Sequence, residues 1–269
     1  MTQATKRPVA LVTGASSGIG EAAAPALALV EAGFDVIGTC RNTAKVDPLD
    51  GVTLLDLDVS SDASVATLVQ QAIDRFGRID VLVNNVGIGS SGATEESSLA
   101  QHQHVFDINV FVVIRVTKAV LPHMRAQGRG RVISLSSIYG FIPQPSMAAY
   151  IASKHAVEGY SESVDHEVRE HGVRTLLVEP GGTSTAFEGN LVQPGRPLTL
   201  ARGRPRTGPR PASARAGRIG RRHRLKEEEQ RDAAGPMTVR ARRPATWDDR
   251  PGGWCLGTGG DPGVRSGHR

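Results

Sequence analysis

The chain has 269 residues, with 32 Lys and Arg against 27 Asp and Glu for a formal net charge of +5. That length suffices for one large domain with a well-buried core, or for a domain plus a tail. Absence of any apolar run near the ~20 residues of a membrane span, a first stretch MTQATKRPVALVTG without leader-like features, and only two distant cysteines, Cys40 and Cys255, exclude a spanning or disulfide-framed protein and predict a cytoplasmic one.

Residues 8–180 alternate short β-rich runs with amphipathic stretches. PVALVTG (8–14) predicts a strand and a glycine turn, and GIGEAAAPALALVEAG (18–33) a helix ending at Gly33. Pro25 falls inside that helix, where it predicts a kink or a locally weakened turn. FDVIGTC (34–40) and VTLLDLDV (52–59) predict the second and third strands, DASVATLVQQAIDRFG (62–77) a helix, and IDVLVNN (79–85) the fourth strand. One long helix is predicted over 99–127, with Val105, Ile108, Val112, Val116, Val120 and Met124 near helical spacing. RVISLSS (131–137), a helix over 148–171 and VRTLLVEP (173–180) complete the pattern. Apolar strands alternating with helices imply an α/β fold: a Rossmann-like, doubly wound parallel sheet with right-handed connections.

The pattern stops near residue 190. Residues 1–190 carry 14 basic and 20 acidic side chains, a net of −6, whereas 191–269 carry 18 and 7, a net of +11. In 191–269 only 13 residues are Leu, Ile, Val, Phe, Met, Trp, Tyr or Cys, too few to bury a core. The expected organisation is a dinucleotide-binding catalytic domain over 1–190 and a disordered Arg/Gly/Pro-rich tail over 191–269. A shifted reading frame in GC-rich DNA and a basic extension both account for that composition. The tail's arginines lack interleaved aromatics, so nucleic acid is not the expected partner.

TGASSGIG (13–20) follows a strand and opens a helix. Gly14, Gly18 and Gly20 permit a tight turn, and free N–H groups at the helix start face an anion. A plain βα turn is the alternative. The second strand ends at Cys40 and Arg41, where a guanidinium can pair with a ribose 2′-phosphate, favouring NADP(H) over NAD(H); a solvated surface arginine is the alternative. In DLDVS (56–60), Asp58 can accept from an adenine amino group with Val59 against the ring, and can equally serve as a turn residue beside an N-cap at Ser60 or Ser61; the two readings are compatible. NNVG (84–87) ends the fourth strand at the edge where ligands gather, with amides able to tie loops together and Gly87 allowing close passage.

Tyr150 and Lys154 lie one helical turn apart, so their side chains share a face. A phenol titrates near ~10, and the ammonium is expected to draw it down towards useful acid–base chemistry. Ser137, at a strand end, can hold an oxygen that becomes or ceases to be a carbonyl. Asn109, a polar break in an apolar helix face, can hold a water for a proton relay to Lys154. Singly, each also reads as ordinary structure: a turn cap, a satisfied core amide, half-buried packing. The histidines lack ligand spacing, so no metal is expected.

In order and spacing these blocks resemble the short-chain dehydrogenase/reductase family over residues 8 to about 190. TGASSGIG matches its cofactor turn, implying contacts from Thr13, Gly14, Ser16, Ser17, Gly18, Ile19 and Gly20. NNVG matches its NNAG block, implying Asn85, Val86 and Gly87. Asn109, Ser137, Tyr150 and Lys154 match its catalytic tetrad, with Tyr150 and Lys154 also touching cofactor. EPGGTST (179–185) resembles its Pro-Gly motif, implying Pro180, Gly181, Thr183 and Thr185. KHAVEGYSESVDHEVREHGVR resembles the hydroxysteroid dehydrogenase-like branch, which favours apolar carbonyls. Val86 replaces the alanine of NNAG and Val112 a common glycine, and the family's usual last strand is not recognisable. The resemblance implies hydride transfer between NADP(H), with NAD(H) as the alternative, and a small carbonyl or alcohol, in a homo-oligomer without membrane contact. The competing expectation is a remnant that binds cofactor without turnover.

Overall fold

The computed structural model describes residues 7–15, 24–181 and 191–195. Its strands are β1 (Val9–Val12), β2 (Asp35–Cys40), β3 (Val52–Asp56), β4 (Val81–Asn84), β5 (Gly130–Leu135) and β6 (Val173–Val178). They form a parallel sheet in the order β3-β2-β1-β4-β5-β6. The strand order reverses between β1 and β4, and this switch opens a crevice at the carboxyl edge. Every residue of β1 and β4 is buried, as central strands covered on both faces require.

Alternate side chains go to opposite faces. Val9, Leu11, Ile37, Leu82, Val132 and Val173 meet α2 (Asp62–Phe76), α4 (Val112–Gln127) and the later turns of α5 (Ala148–Val168). Ala10, Val12, Val36, Val81 and Val83 meet Ala26 of α1 (Ala24–Glu31) on the other face. The segmentation of α2 follows its sequence. Ser61 caps it by accepting from the Ser64 N–H at 3.2 Å, Val65, Leu68, Val69 and Ala72 form its buried stripe, and Gly77 ends it at φ +78°.

Two expectations are corrected. The predicted helix over 99–127 is a single rod with a widened turn: α3 (Leu99–Phe106), a π turn (Asp107–Phe111) and α4. Apolar periodicity continues across the π turn, so the sequence pattern does not reveal the extra residue it holds. The predicted helix to residue 171 ends at Val168, and a tighter turn, Arg169–His171, closes it before Gly172. Pro25 stands at the second residue of the described part of α1; the residues before Ala24, which the kink expectation also concerns, lie outside the described residues. The low order expected over 191–269 does not hold at its start, where Val192 bridges Ser90; residues 196–269 lie outside the described residues. No described helix is long and apolar enough to cross a membrane.

The carboxylate of Asp165 joins α5 to β6. It is wholly buried and accepts from Arg174 Nε at 2.9 Å and Nη2 at 3.0 Å, and from the Thr175 N–H at 2.8 Å. Burial pushes its acidity down, but the hydrogen bonds from Arg174 and Thr175 and the guanidinium charge outweigh burial and hold its pKa below the ordinary value. Asp165→Asn is therefore expected to cost about 2 kcal/mol of stability at neutral pH. A depressed carboxylate contributes fully above its unfolded pKa of about 3.9 and loses that contribution as pH falls through the folded value. Urea denaturation at a series of pH values should show the gap between the two proteins closing only in acid, below about pH 4.

Candidate active site

The crevice is stapled across the switch point. Thr13, directly after β1, is fully buried; its hydroxyl donates to the Val83 carbonyl at 3.3 Å and accepts from the N–H groups of Asn85 at 3.0 Å and Val86 at 3.4 Å. Asn85 returns the contact, its Nδ2 donating to the carbonyls of Thr13 and Gly14, each at 3.1 Å. The amide-tied loops expected at NNVG are present. Gly14 takes φ +68°, and a Cβ there would stand 2.7 Å from Val86 Cγ2, so the turn passes directly over that valine. Its N–H donates to Thr39 Oγ1 at 3.2 Å, and the Ala15 N–H to the Thr39 carbonyl at 2.7 Å. Ser16, Ser17, Gly18, Ile19 and Gly20 lie outside the described residues.

Arg41 is exposed directly beyond β2. Asp58, beyond β3, accepts through Oδ1 from the Ser60 N–H at 2.9 Å and hydroxyl at 2.6 Å. Those two bonds, with smaller help from the Arg41 and Arg115 charges, hold its pKa below the ordinary value. It is thus a turn residue, as the simpler reading expected, and Ser61, not Ser60, is the helix cap. Val59 packs against the core, and its carbonyl accepts from Arg115 Nη1 at 2.8 Å.

The four residues of the expected tetrad come from three elements and meet at the carboxyl edge. Ser137 follows β5 and is buried; its hydroxyl accepts from the Tyr139 N–H at 3.2 Å and hydrogen-bonds the phenol of Tyr150. The turn-cap reading of Ser137 holds, and the same hydroxyl also partners Tyr150. The Tyr139 and Tyr150 rings meet edge to face at 6.4 Å. Lys154 is buried one turn along α5, with Nζ donating to the Leu135 carbonyl at 2.8 Å and lying 5.8 Å from the centre of the Tyr150 ring. Asn109 sits in the π turn. Its Nδ2 donates to the Ile88 carbonyl at 2.8 Å and to Ser153 Oγ at 2.9 Å, and its Oδ1 accepts from the Ile88 N–H at 2.8 Å. The widened turn thereby ties the loop after β4 to α5. Gly87 lies between: a Cβ on it would stand 3.4 Å from Asn109 Oδ1 and 3.5 Å from Lys154 Nζ. The Pro180 carbonyl accepts from the Ile138 N–H at 3.0 Å, holding the chain beyond β6 against the Ser137 turn, with Gly181 exposed beside it. Thr183 and Thr185 lie outside the described residues.

The electrostatics correct one expectation. The phenol of Tyr150 is pushed up, not drawn down: burial is the dominant cause, opposed by the Ser137 hydrogen bond. The same burial lowers Lys154 to about 8, against a smaller opposing pull from Glu158. The ammonium one turn away is itself desolvated and does not overcome the cost of placing a phenolate in this site.

The short chain dehydrogenase family profile matches residues 8–194. The chain belongs to the short-chain dehydrogenases. It is 41% identical over 182 residues to a 3-ketodihydrosphingosine reductase of Bacteroides thetaiotaomicron, a match covering 68% of this chain and 66% of that protein. The chain thus spans just under two thirds of that relative's length. Among solved structures, a short-chain dehydrogenase from Streptomyces avermitilis superposes with a TM-score of 0.65 at 38% identity, over 70% of this chain and 71% of its own. A gluconate 5-dehydrogenase from Burkholderia cenocepacia, solved in complex with NADP and tartrate, gives 0.64 at 27% identity, over 67% and 73%.

Within this short-chain dehydrogenase, residues the motifs did not single out shape the site. Thr39 anchors the turn after β1 through both its hydroxyl and its carbonyl. Ser153 donates to the Tyr150 carbonyl at 2.6 Å while accepting from Asn109. Its place between Tyr150 and Lys154 on a buried helix face was the available signal. The packing of Glu158 against Gly140 lacked any signal, because it joins residues of different elements. Val86 bears on Gly14 directly, so Gly14→Ala is expected to destabilise by about 1–3 kcal/mol through overpacking and a strained φ. Adding Val86→Ala should recover part of that loss. Urea denaturation of both single variants and the double variant measures the coupling, and strictly additive values would contradict the contact.

Proposed function

We propose that the chain is an oxidoreductase that transfers a hydride between NADP(H) and an apolar carbonyl or alcohol, with residues 1–190 as its catalytic domain. One observation carries this reading: the hydroxyls of Ser137 and Tyr150 are hydrogen-bonded to each other at the open edge of the sheet, with the Lys154 ammonium one helical turn away.

The residues fit a nicotinamide dinucleotide. The bare backbone of Gly87 leaves Asn109 Oδ1 and Lys154 Nζ within reach of a bound molecule, and a side chain there would close that space. The turn from Thr13 and Gly14 through Ser16–Gly20 would hold the pyrophosphate on backbone N–H groups. Arg41 would pair with the 2′-phosphate, and Asp58 and Val59 would flank the adenine. Asn85, Val86 and Gly87 would line the path to the ribose, Lys154 would bind its hydroxyls, and Pro180, Gly181, Thr183 and Thr185 would border the nicotinamide. When bound, the cofactor supplies or accepts the hydride.

The protein's own part is proton handling and orientation. In reduction Tyr150 donates its proton to the substrate oxygen, and a raised pKa keeps that proton in place until the oxygen becomes basic. Ser137 uses its O–H to hold the same oxygen while its own oxygen accepts from the Tyr139 N–H. Asn109 braces the loop after β4; both N–H bonds are committed, leaving one Oδ1 lone pair to hold a relay water. The apolar class of substrate is supported by Tyr139 and by Phe141 and Ile142, large apolar groups exposed beside the Ser137 turn. It accords with the resemblance of residues 154–174 to the hydroxysteroid dehydrogenase-like branch. The exposed Leu99 and Phe111 on the rod of α3 and α4 support assembly as a homo-oligomer. No described residue favours cofactor binding without turnover.

Tyr150→Phe is expected to lower kcat by at least ~10²-fold with NADPH and apolar ketones while NADPH binding, followed by its fluorescence, persists. Turnover equal to that of the unaltered chain would reject the assignment. Arg41→Ala should raise KM for NADPH and leave KM for NADH nearly unchanged; a parallel rise in both would remove the case for NADP(H).

A further inference from the structure

Glu158 lies on α5 one turn beyond Lys154, at i+4, so the two side chains share a face. Its Oε1 is shielded from solvent. That oxygen lies 2.7 Å from the point where a Cβ of Gly140 would stand, and Ser136 Oγ lies 2.7 Å from the same point. The absence of a side chain at Gly140 therefore makes room for the carboxylate beneath the turn that carries Ser137. The Lys154 ammonium donates to the carbonyl of Leu135, the residue before Ser136. The Lys154 ammonium and the shielded Glu158 oxygen thus both lie against the end of β5 and the turn that follows it.

Among the described residues, the other groups around Lys154 are these. Tyr150 shares its helix and Tyr139 sits on the Ser137 turn, both phenols. The loop after β4 brings Gly87, and the π turn brings the neutral Asn109, while Asp107 of that turn is exposed. Glu179, beyond β6, is buried at the neighbouring strand end. Among these, Glu158 is the carboxylate whose charge acts on Lys154.

We propose that Glu158 is a positioning residue that keeps Lys154 in its ammonium form at the end of β5. The role follows from Coulomb attraction in a poorly hydrated place: a buried ammonium without a counter-charge sheds its proton, and one with a carboxylate a turn away retains it. This inference rests on the reading of Lys154 given above, but its test does not require turnover.

The experiment titrates Lys154 in the cofactor-free full chain by NMR of ¹³Cε-labelled lysine, with the resonance assigned by its loss in Lys154→Met. The unaltered chain should titrate at about 8. Glu158→Gln, which preserves shape and removes charge, should lower the midpoint by about one pH unit or more. Glu158→Asp, which keeps the charge but withdraws it, should fall between. A Glu158→Gln midpoint equal to that of the unaltered chain overturns the proposal. Should that variant fail to fold, an unchanged Glu158→Asp midpoint overturns it equally. In turnover, the alkaline limb of kcat/KM should move to lower pH with the Lys154 midpoint. A shifted midpoint in a chain that never oxidises NADPH would sink the dehydrogenase reading and leave the role of Glu158 intact.

Discussion

A buried ammonium is costly to keep charged, and the arrangement around Lys154 ties several parts of the site together. Lys154 is 5% exposed. Removing such a charge from water is unfavourable unless hydrogen bonds and opposite charge replace the lost hydration. The Leu135 carbonyl supplies one bond, the Tyr150 ring a face at 5.8 Å, and Glu158 a negative charge. Each comes from a part of the fold that must be in register for the ammonium to survive. The end of β5 must meet α5, α5 must be unbroken from Tyr150 to Glu158, and Gly140 must leave the carboxylate room.

The sheet provides that register at low cost. Because order reverses between β1 and β4, the turns that follow those strands diverge and leave a crevice between them. Divergent loops would be loose if only the strands held them. Instead Asn85 bonds both carbonyls of the Thr13–Gly14 turn, and Thr13 bonds back to Val83, Asn85 and Val86. On the other side of the crevice, Asn109 fastens Ile88 to Ser153. The two asparagines do parallel jobs: each satisfies backbone groups of a loop that no neighbouring strand can pair. The loop from Asn85 to Ile88 is therefore fixed at both ends, with Gly87 as its open middle.

Much of this was legible in the sequence. Strand positions followed from short Val-rich runs between helical patterns, and the parallel order follows from their alternation. Ser137, Tyr150 and Lys154 were legible because their spacing on a strand end and one helical turn is itself a geometric statement. Three features were not. The π turn at Asp107–Phe111 leaves the buried valines at helical spacing on either side, so no local signal betrays it. The pairing of Glu158 with Gly140 joins residues from different elements, and no pattern within either one encodes it. The direction of the Tyr150 shift depends on burial, which proximity of Lys154 in sequence does not report.

That last point bears on how the pair operates. Burial acts on both groups but favours the neutral form of each, so it raises the phenol and lowers the ammonium. As pH rises, Lys154 is then the first of the two to lose its proton, and Tyr150 remains a phenol through that transition. In the proposed role of Tyr150, a proton donor that stays loaded suits the reduction of a carbonyl, where the emerging alkoxide is a strong base. The lysine, standing closer to its own titration, is the member of the pair whose charge the surroundings must defend. Tyr150 is held to its task by a hydroxyl neighbour and a dry setting; Lys154 is held to its task by charge. The two demands meet in the turn from Ser136 to Gly140, which offers a serine hydroxyl to the phenol on one side and a glycine-sized space to a carboxylate on the other.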